Sequence, residues 1–408
     1  MMKLTTLDNG LKVATRTMDG VETVAVGLYA DAGSRHETAR VNGIAHLYEH
    51  MVFKGAGGRS AREISEAIED VGGDLNACTE REGTSFTASL LAENLPLGIE
   101  LLSDMILRPH FRDGDLVREK EVVLQELGEA RDTPSDIIFD ELWAAAWRDQ
   151  SLGRSILGDE TSIDAISADD LHAWRMDEYR AGSLCLVAAG KVDHDALVAM
   201  AAERFADLPE GVIAAAEPVA FTGGVSRSRA KADQAHLATA YAGPAQLDGD
   251  YYAARLFADL VGGGASSRLF QAVREERGLA YSVWASLHPY RDTGIFHIYA
   301  ATARREAAAA AQLIGEVIAD AALTATQREL DRVRAQAKAG LLMSLESSWG
   351  QAAYVVRQLA VHGRLVEPAE VVRALEAVTL DEVRAAGARM LAGPQAQATI
   401  GVPAVRAA

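Results

Sequence analysis

The sequence predicts an α+β protein made of two related halves, each an antiparallel sheet covered by helices. Three observations support this fold class. Short alternating strands stand beside long amphipathic helices, one segment without periodicity divides the chain, and the same order of elements returns after that segment. With 408 residues, the chain is long enough for two domains.

The boundary between the halves is predicted at residues 207–224, which lack clear periodicity and carry two prolines. The N-terminal half then spans residues 1–215, and the C-terminal half spans residues 222–408. We place the inter-domain linker at residues 207–224.

Local signals place several elements of the first half. The turn sequence LDNG at residues 7–10 joins two short strands. Ser60 and Glu63 predict a capping box at the start of a helix. A long helical region at residues 113–147 is broken by DTPSD at residues 132–136.

The second half repeats the order of the first by pattern rather than by identity. AHLATAYAGPA corresponds to TVAVGLYADAG, GDYYAARLFADLVGG to NGIAHLYEHMVFKG, and SSRLFQAVREERG to SAREISEAIEDVG. The helix of the first half carries two histidines and a glutamate, whereas its counterpart carries no histidine. We therefore expect any chemistry on the N-terminal half.

The charge balance excludes some classes of partner. The chain has 40 Lys plus Arg and 58 Asp plus Glu, a formal net charge of -18. Nucleic acid and anionic lipid both require basic patches, so neither is expected as a partner. The acids favour cationic substrates if they line a cavity, and otherwise they only keep the protein in solution.

Two features predict a cytoplasmic protein. Cys78 and Cys185 are too few for a disulfide framework. The N-terminus has no apolar signal region, and no run of residues approaches 18 uninterrupted apolar positions.

The sequence HLYEH at residues 46–50 is the strongest candidate for chemistry. Helical spacing puts His46 and His50 on one face, where both imidazoles can bind one cation. Glu49 is close enough to take a proton from water at that cation, and the order HxxEH is the inverzincin motif. An ordinary structural helix is the alternative, but burying three polar groups without a metal would be costly.

A third ligand is expected from the helix at residues 118–131, which offers Glu119, Glu121, Glu126 and Glu129. Glu119 and Glu126 are seven residues apart and share a face. One of them binds the metal in this interpretation, and the other supports a ligand histidine. Spacing alone does not decide between them, and a solvated acidic face is the alternative.

Taken together, these motifs resemble the zinc peptidase family of pitrilysin, insulin-degrading enzyme and the mitochondrial processing peptidase. The resemblance is carried by HLYEHMVFKG, by REKEVVLQE, by GGDLNACTERE, by DTPSDIIFDEL, by SLGRSILGDETSI and by GGGASSRLFQAVREERGLAYSV. These segments cover most of the chain. The resemblance implies two halves that face each other around a chamber, in the processing-peptidase-like branch whose subunits form dimers.

The resemblance also implies the roles of the metal site. His46, His50 and Glu126 would bind Zn²⁺, Glu49 would be the general base, and Glu119 would support the site from outside the ligand set. These assignments come from the matching positions in HLYEHMVFKG and REKEVVLQE.

Substrate contacts are implied in both halves. In REERGLAY, Arg274 and Tyr281 match the family's arginine and tyrosine, which hold substrate and stabilise the oxyanion. Asn76 and Ala77 match the family's edge strand, to which an extended peptide adds. We expect Cys78 to be a free buried thiol.

The predicted function is that of a zinc-dependent endopeptidase acting on unfolded or extended peptides, including basic presequence-like ones. Because the chain keeps both the metal site and the arginine–tyrosine pair, a homodimer is expected, with a heterodimer as the alternative. Two other functions remain open: a catalytically silent structural subunit of a larger complex, and a metal-dependent hydrolase of another bond.

Overall fold

The computed structural model describes residues 2–228 and 232–402, which form two compact units. Unit 1 contains the chain up to Leu127 together with Ser155–Glu217 and Leu342–Val366. Unit 2 contains Gly128–Arg154, Pro218–Leu341 and the chain from Glu367. Each unit thus includes one segment from the other half of the sequence. The boundaries 1–215 and 222–408 describe the predicted sequence repeat, and their assignment as domains stays a prediction.

The strands are numbered in chain order and have the following bounds: β1 (Met2–Thr6), β2 (Lys12–Thr17), β3 (Thr23–Ala30), β4 (Gly55–Ala56), β5 (Arg59–Ser60), β6 (Asp74–Thr79), β7 (Thr84–Leu91), β8 (Leu184–Gly190), β9 (Gly224–Ser228), β10 (Ala235–Gly243), β11 (Ala280–Pro289), β12 (Gly294–Thr302) and β13 (Gln395–Ile400).

The α-helices have the following bounds: α1 (Ile44–Val52), α2 (Ala61–Glu69), α3 (Leu95–Leu107), α4 (Asp113–Asp132), α5 (Pro134–Ala146), α6 (Glu160–Ala165), α7 (Ala168–Glu178), α8 (His194–Arg204), α9 (Tyr251–Gly262), α10 (Ala307–Thr324), α11 (Gln327–Ser344), α12 (Ser348–His362), α13 (Pro368–Ala377) and α14 (Leu380–Ala392). The segment predicted to match α2 in the second half forms a π-helix at Phe270–Glu276, with a wider turn than an α-helix.

Several local predictions are confirmed. Gly10 closes the turn between β1 and β2, donating from its N–H to the Leu7 carbonyl at 2.9 Å with a φ of +99°. Ser60 and Glu63 form the capping box of α2. The break between α4 and α5 lies at Thr133, because Pro134 cannot continue the hydrogen-bond pattern of α4.

The unit 1 sheet has the strand order β1-β2-β8-β3-β7-β6. Its pairs are antiparallel except for β2 and β8, which are parallel. Strand β8, LCLVAAG, is buried at every position. Strand β6 is an edge strand, so its backbone is paired on one side, with β7.

The unit 2 sheet has the order β11-β12-β10-β13-β9, and only β13 and β9 are parallel among its described pairs. Reading β2, β3, β6, β7 and β8 against β9 to β13 gives the same topology, including the position of the parallel pair. The repeat inferred from the sequence is therefore a repeat of topology. Among the described strands, β1 has no counterpart in unit 2.

Each sheet has a helical layer on both faces. In unit 1 the larger core lies between the sheet and α1, α3 and α8, where Leu28, Tyr48 and Leu102 are fully buried. The opposite face is covered by α12, whose Val355 and Leu359 pack with small residues of β3 and β8. In unit 2, α9, α10 and α14 cover one face, and α5 covers the other.

By length and composition, one described helical stretch, Arg304–Thr324, is apolar enough to cross a membrane. Core helices of soluble proteins pass the same test. Ala310, Ile314 and Ile318 of this helix are buried in the cores of unit 2, so its apolar character has a packing role within the unit.

A buried carboxylate fixes the start of α1. Glu37 is 4% exposed, and its Oε2 accepts hydrogen bonds from the Gly43 N–H at 2.8 Å and from the Asn42 amide at 2.6 Å. Its Oε1 accepts from the Ala45 N–H at 2.9 Å. Gly43 has a φ of +94°, and a Cβ there would lie 2.6 Å from the Ile163 side chain. A negative group at a helix N-terminus also interacts favourably with the helix dipole.

Replacing Leu359 with Ala should destabilise unit 1, because the side chain is 4% exposed and fills the α12 face of the sheet. We expect a loss of about 2–5 kcal/mol in the free energy of unfolding, with faster amide hydrogen exchange in β3 and β8. Leu342→Ala, at a position 45% exposed, is the matched control and should change stability by less than about 0.5 kcal/mol. Unchanged exchange in β3 and β8 would contradict the packing of α12 described above.

Replacing Glu37 with Gln should cost about 1–3 kcal/mol, because the amide keeps one acceptor oxygen and leaves a buried N–H without a partner. Urea unfolding of both proteins measures this difference. Glu63→Gln, in the exposed capping box of α2, serves as the control and should cost less. Equal losses in the two variants would mean that the Glu37 cap has no special role.

Candidate metal centre and catalytic site

Helix α1 carries the HLYEH residues and packs into unit 1 through its apolar side chains. Ile44, Leu47, Tyr48, Met51 and Val52 are buried, which leaves one strip of the helix for the polar side chains. His46 and His50 lie on that strip with their ring centroids 4.6 Å apart.

The two imidazoles meet a carboxylate from α4. Glu126 Oε2 lies 3.7 Å from His46 Nε2 and 3.6 Å from His50 Nε2. The side chain of Glu126 is 40% exposed, whereas those of the histidines are 14% and 18% exposed. The three ligand atoms all lie within 4.8 Å of one another. The site is therefore open to solvent on the side of Glu126.

This donor set fits a zinc ion. Ligand atoms at normal zinc distances around a tetrahedral centre are about 3.3–3.4 Å apart, close to the 3.7 and 3.6 Å between Glu126 and the two imidazoles. Burial and the neighbouring His50 lower the pKa of His46 to about 4, so its imidazole is in the neutral form that binds metal. Two histidines and a glutamate form a ligand set of catalytic zinc that leaves a position for water.

Glu119 contacts His50 at Nδ1, the ring nitrogen that does not face Glu126. Its Oε2 lies 3.2 Å from His50 Nδ1, and its Oε1 lies 2.8 Å from Lys54 Nζ. The residue is 6% exposed, so the lysine balances the charge of a buried carboxylate. A carboxylate on Nδ1 orients the ring so that Nε2 faces Glu126.

The structure shows which of the four candidate glutamates on α4 reaches the histidines, a choice that spacing in the sequence could not make. Glu119 lies in the buried stripe of α4 with Val123 and Leu127, whereas Glu121 and Glu129 are exposed. Glu126 is the member of the set that reaches both histidines.

Glu49 is held by a residue of the edge strand. The Thr79 hydroxyl donates to Glu49 Oε2 at 2.6 Å. Burial raises the pKa of Glu49, while the Thr79 hydrogen bond and the nearby His50 act in the opposite direction. A carboxyl group with a raised pKa beside a metal site is suited to taking up and releasing a proton.

Asn76 and Ala77 lie on β6, as predicted, with Asn76 exposed and Ala77 half-buried. The Ala77 N–H donates to the Asn76 side-chain oxygen at 2.8 Å rather than to a neighbouring strand. The prediction that Cys78 is buried is wrong. Strand alternation places it on the same exposed face as Asn76.

Arg274 and Tyr281 come together within unit 2. The Arg274 guanidinium carbon lies 4.7 Å from the centroid of the Tyr281 ring and 4.6 Å from that of Phe270. The Tyr281 side chain is 76% exposed. The Arg274 side chain is 35% exposed, and its guanidinium stacks on the phenol.

Three contributors to the site had little or no signal in the sequence. Thr79 shares its strand face with Ala77, and this alternation was its only signal in the sequence. Lys54 and Glu37 had no recognisable spacing to the motif, because both act through contacts that only the folded chain creates.

Comparison with protein families assigns both parts of the chain. Residues 12–160 match the model of the insulinase family, peptidase family M16, and residues 165–337 match the peptidase M16 inactive domain. The second match agrees with the absence of histidine from α9.

Curated relatives align over nearly the whole chain. An uncharacterized zinc protease of Rickettsia bellii is 32% identical over 396 residues, covering 97% of this chain and 96% of the relative. One from Bacillus subtilis is 32% identical, covering 94% of each chain. The mitochondrial-processing peptidase subunit beta of Lentinula edodes is 32% identical, covering 94% of this chain and 86% of the relative.

Solved structures share the fold. A peptidase M16 inactive domain from Pseudomonas fluorescens superposes with a TM-score of 0.92 at 23% identity, covering 100% of this chain and 99% of the other. A protease from Helicobacter pylori gives 0.90 at 19% identity, covering 98% and 99%. The predicted α+β class is confirmed, and the curated relatives of Rickettsia bellii and Bacillus subtilis are named zinc proteases. The chain belongs to the insulinase family of zinc peptidases, peptidase family M16.

Proposed function

We propose that this protein is a zinc-dependent endopeptidase that hydrolyses unfolded or extended peptides. The observation that carries the proposal is the convergence of His46, His50 and Glu126, with the carboxylate of Glu49 held on the same helix face. These residues supply a metal site and a proton acceptor together.

The roles follow from the contacts. His46, His50 and Glu126 would hold the zinc, and Glu119 would fix the orientation of His50. When bound, zinc supplies a Lewis acid that acidifies water and polarises a peptide carbonyl. Glu49 takes the proton from the attacking water and delivers it to the leaving amine, for which its raised pKa is suited.

The edge strand supports the preference for extended peptides. Strand β6 ends at Thr79, which contacts Glu49, and an added peptide strand would run along it into the site. Pairing through the backbone gives affinity with little demand on side chains. Folded proteins lack free strands for this pairing, so unfolded segments are the substrates we propose.

Charge supports basic substrates, including presequence-like peptides. Asp74 and Glu80 are exposed acids at the two ends of β6, and the chain has a net charge of -18. Such groups attract cationic peptides at low ionic strength.

The remaining proposals concern the second half and the assembly. Arg274 and Tyr281 can donate to a developing oxyanion, since a guanidinium and a phenol are both hydrogen-bond donors. We propose a homodimer, because the chain carries both the metal ligands and the arginine–tyrosine pair. We also propose a cytoplasmic location, because Cys78 and Cys185 are free thiols, as in a reducing compartment.

Glu119→Gln should weaken zinc binding by about 10- to 100-fold, because the amide holds His50 less firmly than the carboxylate does. Competition with a chromogenic chelator measures the affinity. Glu121→Gln, an exposed change on the same helix, should bind zinc like the wild type. The assignment of Glu119 fails if its variant also binds zinc like the wild type.

Glu49→Gln should retain zinc and lose peptidase activity, by about 100- to 10,000-fold in kcat, because it removes the proton acceptor. A fluorogenic, basic, unstructured peptide is the substrate, and zinc content is determined on both proteins. Glu129→Gln, an exposed change on α4, is the matched control and should retain activity.

If zinc-loaded wild type cleaves no peptide in a broad library, the endopeptidase proposal is wrong. The alternative of a structural subunit would then be favoured, particularly if the protein still assembles with a partner. Cleavage of another type of bond by the same preparation would instead assign it to a different class of hydrolase.

A further inference from the structure

We infer that Thr79 is a positioning residue that joins substrate binding to the general base. Its hydroxyl and its backbone N–H hold the Glu49 carboxylate, while its carbonyl would pair with the substrate strand. This inference rests on the proposed peptidase function and adds a residue to it.

The register of the hairpin shows which backbone groups of β6 face the open edge. The Thr87 hydroxyl donates to the Asn76 carbonyl at 3.3 Å, and the Ser85 hydroxyl donates to the Cys78 carbonyl at 3.5 Å. Both carbonyls therefore point toward β7. In an antiparallel pair, consecutive residues direct their backbone groups to opposite sides.

It follows that Leu75, Ala77 and Thr79 direct their N–H and carbonyl groups away from β7. The hydrogen bond from the Ala77 N–H to the Asn76 side chain agrees with this register, because the N–H finds its acceptor outside the ladder. A peptide added to β6 would pair with Leu75, with Ala77 and with the carbonyl of Thr79, whose N–H interacts with the Glu49 carboxylate.

The side chain of Thr79 points to the helical layer. Its hydroxyl has a single proton, and two acceptors lie nearby: Glu49 Oε2 at 2.6 Å and the Ala45 carbonyl at 3.4 Å. The shorter contact is the favoured acceptor. A carboxylate accepts more than one hydrogen bond, so Glu49 keeps acceptor capacity for a proton from water.

This arrangement sets the position of the base relative to the substrate. One residue contributes its carbonyl to the strand pairing, and its N–H and hydroxyl to the carboxylate. The substrate strand and the base are therefore positioned by the same residue. A misplacement of about 1 Å between reacting groups costs on the order of 100-fold in rate. Fixing Glu49 from the strand that binds the peptide limits that misplacement.

The test compares Thr79→Val, which removes the hydroxyl and keeps the branched shape, with Thr79→Ser, which keeps the hydroxyl. We expect Thr79→Val to bind zinc normally, to keep KM within about twofold and to lose about 10- to 100-fold in kcat. Thr79→Ser should recover most of that loss. Thr87→Val removes a hydroxyl from the neighbouring strand and should leave both constants unchanged.

A second readout does not depend on activity. In crystal structures of the zinc-free proteins, the Glu49 carboxylate should have one position in wild type and in Thr79→Ser, and several positions in Thr79→Val. A single position in Thr79→Val, or a kcat equal to that of wild type, overturns the inference. Equal losses in the Val and Ser variants also overturn it, because they would show a packing role.

The two proposals fail in different ways. If wild type cleaves no peptide but Glu49 is ordered only when residue 79 has a hydroxyl, the positioning role holds and the peptidase function is wrong. If wild type cleaves peptides and Thr79→Val cleaves them equally well, the function holds and the role of Thr79 is wrong.

Discussion

Helix α1 is packed over most of its circumference, and the site depends on how its few polar side chains are satisfied. Burying an imidazole or a carboxylate without a partner is costly. His46, Glu49 and His50 each have one: Glu126 and Glu119 of α4 approach the two histidines, and Thr79 of β6 donates to Glu49. Helices α1 and α4 and strand β6 must therefore hold one fixed arrangement relative to one another.

A short segment before α1 links these parts. In GSRHE, residues 33–37, Arg35 pairs with Glu82 in the turn that follows β6, at 2.5 Å, and Glu37 caps α1. Gly33 permits the close approach, since a Cβ there would lie 2.3 Å from the Glu80 carbonyl. The end of the edge strand and the start of the histidine helix are thus fixed by neighbouring residues, which supports a constant distance between strand and base.

The second constraint on the fold is the covering of both sheet faces. A sheet with one face covered by its own helices would expose the apolar residues of the other face. Here α12 covers that face in unit 1, and α5 covers it in unit 2. Each helix comes from the opposite half of the sequence, so neither half has a complete core of its own. This exchange makes the stability of each unit depend on both halves.

The sequence by itself determined the fold class, the repeat and the main part of the candidate metal site. Helical periodicity defined α1, and the i, i+4 spacing of His46 and His50 brings two ligands together within one element. Those signals are local, so they can be read along the chain. Resemblance to a family was needed to choose Glu126 over its neighbours, since several glutamates on α4 had suitable spacing.

Only the tertiary structure decided the exchange of α5 and α12, the pairing of Glu119 with Lys54, and the contact between Thr79 and Glu49. Each joins residues on different elements, and periodicity describes one element at a time. The exposure of Cys78 has the same origin, because which strand face is covered depends on where the helices pack. Long-range contacts arise from packing, which no local pattern in the sequence specifies.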